Sequence, residues 1–129
     1  MAGHSRPRRG EVWLVSLDPT IGHEVKKSRP AIVVTSDVYN THNWVVVVMP
    51  LTSRDQAEYD QVLIQSPEGG LANTSVTLPD QIRAIDRGRL VKRLGKLKPQ
   101  TMLMLIAHSR LCSIFRSSTG DHAARRNSR

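Results

Sequence analysis

Four consecutive valines, residues 45–48, constrain the fold of this chain more than any other feature. β-Branched side chains lose rotamer freedom in a helix and pack well on a pleated sheet. An unbroken apolar run also has no polar face to turn outward, so it reads as a strand buried on both sides. Residues 44–49 are therefore expected to form the central strand. Shorter runs flank it at 11–17, which stops at Asp18-Pro19, at 31–35, and at 62–65 ahead of a turn at 67–70. Residues 75–78 and 81–85 alternate apolar with polar, as half-buried strands do. Residues 20–28 read as a loop and 36–43 as polar turn material.

From Pro99 the period changes. Lys98-Pro99 is a helix-start signal, and residues 101–115 contain no Gly or Pro. Met102, Leu105, Ile106 and Ser109 recur at helical spacing, as do Leu103, Ala107, Leu111 and Ile114. This helix must pack on the strands, with its methionines filling the core. Five to seven short strands followed by one helix predict a mainly β domain with a C-terminal helix. A small SH3-like antiparallel β-barrel is the natural form.

With 129 residues there is room for one such domain. It is expected over residues 10–115, between a basic tail at 1–9 and a small, polar, basic tail at 116–129 that reads as disordered. No apolar run approaches the ~20 residues of a membrane helix. The charged N-terminus has no apolar stretch behind it and does not read as a secretory signal. The single cysteine, Cys112, excludes an internal disulfide framework and a cysteine-built zinc cluster. It sits on the apolar helix and reads as core. The cytoplasm is the expected location.

The formal net charge is +8, but the two tails carry +6 of it and the body only +2. Global basicity therefore says little about the folded domain. One cluster survives this correction. Arg83, Arg87, Arg89, Lys92, Arg93, Lys96 and Lys98 fall within residues 83–98, with Asp86 the only acid. Such an unbalanced segment suits phosphate groups.

The five histidines are scattered without ligand spacing, so neither a metal site nor a cofactor is expected. The loop before the second strand is different. His23, Glu24, Lys26, Lys27, Ser28 and Arg29 can move protons or bind anions. Pro30 holds Arg29 extended at the start of a strand. Thr52 and Ser53 follow the valine run; their hydroxyls can cap a turn. If the strands after Arg29 and Trp44 pair, Thr52 comes near Arg29. Trp44 could stack a base, but at the head of the apolar run it is expected in the core.

Several blocks occur in order: Arg9-Gly-Glu-Val-Trp-Leu-Val-Ser-Leu-Asp-Pro-Thr20, Gly22-His-Glu24, Ser28-Arg-Pro30, Pro50-Leu-Thr52 and Leu78-Pro-Asp-Gln-Ile-Arg-Ala-Ile-Asp86. Over residues 9–115 the chain resembles the MazF/PemK family of toxin endoribonucleases. The resemblance implies an SH3-like barrel with a C-terminal helix, usually a homodimer. It implies metal-independent cleavage of single-stranded RNA at short sequences, leaving 2′,3′-cyclic phosphate and 5′-hydroxyl ends. It further implies a cognate antitoxin whose acidic, disordered tail occupies the RNA groove. Arg29 and Thr52 match the family's arginine–threonine pair, and Glu24 its loop acid. Gln81 and Arg83 fall where the family lines its RNA groove. His23, Lys26, Lys27, Ser28, Ser53 and Arg87 complete the expected RNA-binding set. Glu24 and His23 are both candidates for the base. The fold also serves the gyrase-poisoning CcdB-like toxins, so a non-enzymatic toxin or an inactive nucleic-acid-binding module is the alternative.

Overall fold

The computed structural model describes residues 6–17 and 28–108. Within them lie seven strands: β1 (Glu11–Ser16), β2 (Ser28–Val33), β3 (Val45–Ser53), β4 (Leu63–Ile64), β5 (Ser75–Thr77), β6 (Arg83–Asp86) and β7 (Leu90–Lys96). Two α-helices accompany them, α1 (Asp37–His42) and α2 (Pro99–His108). All pairings are antiparallel, in the order β4-β5-β3-β2-β1-β7, with β6 also on β3. The result is a curled half-barrel with a C-terminal helix, as the sequence pattern predicts.

β3 organises this sheet. It pairs with β2 along one edge, Ala31↔Pro50 to Val33↔Val48. Its other edge takes β6 at Val45–Val48 and β5 at Leu51–Ser53. The gap between β5 and β6 has a covalent cause. Pro50 has no N–H to give that edge, although its carbonyl accepts from the Leu78 N–H at 2.9 Å. A 3-10 turn, Pro79–Gln81, steps across the gap.

Three of the four valines serve two cores alternately, because successive strand residues point to opposite faces, while Val45 at the strand's start is exposed. Val46 and Val48 join Val15, Leu17, Ala31, Val33 and Ile85 in one cluster. Val47 packs beside Met49 and Leu51 in the other, with Val12, Ile32, Ile64 and Leu105. Leu105 anchors α2 to that second core. Glu68 caps α2 from outside, its Oε2 accepting from the Lys98 N–H at 3.0 Å and from the Thr101 hydroxyl. The segment carrying Glu68 lies tight against β7. A Cβ at Gly95 would stand 2.6 Å from the Gly69 carbonyl carbon, and one at Gly70 would overlap the Leu94 carbonyl oxygen.

Two expectations are corrected. Residues 36–43 are not merely turn material, for they hold α1. Ser36 caps it by accepting from the Tyr39 N–H at 3.1 Å, and Asp37 stands in the first turn. The helix buries only Asn40, whose carboxamide is satisfied by Thr35, so no apolar periodicity marks it. Trp44 is not in the core. It precedes β3 and is 74% exposed. The predicted helix start at Pro99 holds, while Cys112 and the tail beyond it lie outside the described residues.

Candidate active site

Antiparallel pairing of β2 with β3 brings the Arg29 end of one strand toward the Thr52 end of the other. β2 and β3 pair at Ala31↔Pro50, and that register continued two residues sets Arg29 across from Thr52. Alternation places both on the face that carries Ala31, Val33, Val46 and Val48, so both side chains rise beyond the same buried cluster. On its other side Arg29 pairs with Val15 of β1, and Thr52 pairs with Val76 of β5. Rigid strands thus flank the pair on both sides.

The arginines differ in what holds them. Arg83 donates to the Leu17 carbonyl at 3.2 Å, and Arg89 to the Ser16 carbonyl at 3.1 Å. Arg93 pairs with Glu11 at 2.9 Å. Arg9 donates to the Val34 carbonyl at 3.1 Å; burial lowers its pKa, with Asp37 pulling the other way. These guanidiniums brace the barrel. Arg29 is exposed and makes no side-chain hydrogen bond or ion pair to any described residue. Thr52 is half-buried at the strand end, and Ser53 beside it is exposed. An uncommitted guanidinium next to a fixed hydroxyl can bind a phosphate oxygen and hold a neighbouring group in line.

The remaining predicted residues divide by position. Ser28 is exposed at the start of β2, opposite Ser16. Arg83 crosses to Leu17, just past that residue, and so stands at the same end of the barrel as Ser28 and Arg29. Gln81 is exposed in the turn beside Pro50. Arg87 is not with them. It lies at the opposite end of β3, bound to the Asn43 carbonyl at 3.2 Å and stacked over Trp44 at 4.9 Å. His23, Glu24, Lys26 and Lys27 lie outside the described residues. Sequence reasoning left Arg89 out of the site, though it reaches the same end as Arg83. The basic cluster at 83–98 was its only signal.

The fold and the site describe a small β half-barrel that offers an exposed arginine and a hydroxyl to an anion at one strand end. Residues 8–115 match the family of PemK-like, MazF-like toxins of type II toxin-antitoxin systems. The chain is 41% identical to the endoribonuclease PemK of Escherichia coli over 97 residues, 74% of this chain and 72% of that protein. It is 34% identical to the endoribonuclease MazF of Staphylococcus saprophyticus over 97 residues, 74% and 81% of the two chains. Among solved structures, a MazE–MazF crystal structure from Deinococcus radiodurans superposes with a TM-score of 0.69 at 24% identity, covering 91% of this chain and 98% of that one. The chain belongs to the PemK-like, MazF-like toxin family.

Proposed function

We propose that this endoribonuclease toxin cuts single-stranded RNA at the Arg29–Thr52 end of β3, at short sequences and without a metal ion. The observation that supports the reading is the β2–β3 register, which, continued two residues past Ala31↔Pro50, sets an exposed arginine with no partner among the described residues across from a hydroxyl. In RNA the 2′-hydroxyl can attack its own phosphodiester, so the protein need supply no nucleophile. It must move two protons and stabilise the charge that builds on the phosphorane-like transition state. Arg29, permanently charged and planar, holds the non-bridging oxygens. Thr52 orients the phosphate or the attacking hydroxyl. The loop supplies the base, Glu24 or His23. The products are a 2′,3′-cyclic phosphate and a 5′-hydroxyl end. A duplex cannot swing the sugar into line, which accounts for single-strand selectivity.

Ser28, Ser53, Gln81 and Arg83 complete the RNA contacts at this end. Lys96 and Lys98, both exposed on or after β7, suit an antitoxin with an acidic disordered tail. The active form is a homodimer, and its place is the cytoplasm, where mRNA is. No helix among the described residues is long and apolar enough to cross a membrane.

The test is incubation of purified protein with a long single-stranded RNA in EDTA, with Arg29→Ala alongside and the ends mapped. Cuts at one short motif with 5′-hydroxyl ends, absent in the variant, are the expected result. A folded Arg29→Ala protein that cuts as well as the wild type rejects the site. Intact RNA with altered DNA supercoiling rejects the activity.

A further inference from the structure

The other end of β3 carries a second constellation. Trp44 immediately precedes the strand, eight residues from Thr52, or roughly 26 Å along an extended chain. It borders a cavity of about 1020 Å³, lined by Trp13, Trp44, Arg87, Val91, Lys92 and Arg93 among others. That is the size of a site for a ligand larger than a water cluster.

The lining is built rather than incidental. Glu11, only 7% exposed, accepts from the Trp13 indole N–H at 2.9 Å and from Arg93 Nε at 2.9 Å. One buried carboxylate therefore sets an aromatic ring and a cation together. The Arg87 guanidinium is tied to the Asn43 carbonyl and lies over one face of Trp44. The tryptophan is 74% exposed, and an indole in that setting has a face left for a ligand. Four cations, Arg6, Arg87, Lys92 and Arg93, reach the lining, and among the described residues no carboxylate does.

A two-fold contact with a second copy centred here would set those four cations against their equivalents. An anionic occupant is complementary instead. A flat indole backed by a guanidinium, with cations around it, matches a nucleobase and its flanking phosphates more closely than a peptide carboxylate. We propose that this cavity is a second single-strand subsite: one base of the substrate RNA stacks on Trp44, and Lys92 and Arg93 hold the adjacent phosphates. The inference rests on the RNA-cutting reading above. It gives the toxin a footprint on RNA that extends beyond the bond it cuts.

The experiment measures binding of fully 2′-O-methylated, uncleavable oligonucleotides of roughly 5 and roughly 15 nucleotides to the whole protein. Wild type binds the longer one more tightly. Trp44→Ala weakens the longer one about tenfold, and Trp44→Phe recovers part of that loss. Lys92→Gln weakens it too and lowers the slope of log affinity against log salt by about one. Equal affinity of wild type and Trp44→Ala for the longer oligonucleotide overturns the subsite. So does a fall in oligomer mass on Trp44→Ala by light scattering, which assigns the cavity to a second copy. Lost affinity for oligoglutamate alone overturns it in favour of an acidic protein partner. Failure here is separable from failure of the active-site reading. A cleavage-dead Arg29→Ala protein beside unaltered binding by Trp44→Ala rejects only the subsite.

Discussion

The two ends of β3 handle arginine in opposite ways. At the Thr52 end Arg29 is exposed and bound to nothing described, while Arg83 and Arg89 beside it are tied to carbonyls of the β1 terminus. At the Trp44 end Arg87 and Arg93 are each fixed by the fold, one to carbonyls and an indole, the other to a buried carboxylate. A group that must follow charge developing on a substrate has to be free of internal partners. A platform that recognises a rigid planar base has to be held still. The same side-chain type thus performs two tasks according to what surrounds it.

The contrast is sharpest if the exposed arginine is removed. Arg29→Ala should slow RNA cleavage by about 10²–10³-fold, read in EDTA on a gel, with an unchanged melting temperature. An equal loss in melting temperature would make Arg29 a brace like the others. Both ends hang on the core between them. Met49→Ala, at a fully buried position, should cost about 2–5 kcal/mol in urea unfolding and lower activity only as the folded fraction falls. Thr52→Val keeps the shape and removes the hydroxyl, and should reduce kcat about tenfold with little change in stability. At the other end, Glu11→Gln should loosen Arg93 and Trp13 together. About 1 kcal/mol of stability is expected to go, because Arg93 remains half-exposed, and the tryptophan emission should shift. Trp44→Ala should change stability least, by within about 0.5 kcal/mol, since the ring is mostly outside the core.

Legibility in the sequence followed the strength of local signals. The valine run and the Lys98-Pro99 start mark elements because each rests on backbone chemistry that acts within a few residues. α1 escaped because its one buried side chain is an asparagine, so hydrophobic periodicity had nothing to report. Trp44 was misplaced for a related reason. The apolar run continues through it, and only the start of pairing at Val45↔Asp86 shows that the sheet begins one residue later. Arg87 was grouped with Arg83 by proximity in sequence. The length of β6 separates them along β3 and puts their guanidiniums on different partners.

The sequence by itself determined that this chain would build short strands around a doubly buried central one, finish in a helix, and carry an arginine before a proline and a threonine after the valines. Those follow from side-chain shape and backbone freedom, which are local. Tertiary structure decided that β2 meets β3 at Ala31↔Pro50, two residues from Arg29 and from Thr52, that Arg83 and Arg89 brace β1, and that Trp44 opens onto a cationic cavity. Each of these depends on strand register, and a slip of one residue would send every side chain on β2 to the opposite face. Register is settled by which packing of the two cores excludes water best, a property of the whole half-barrel that no short segment contains.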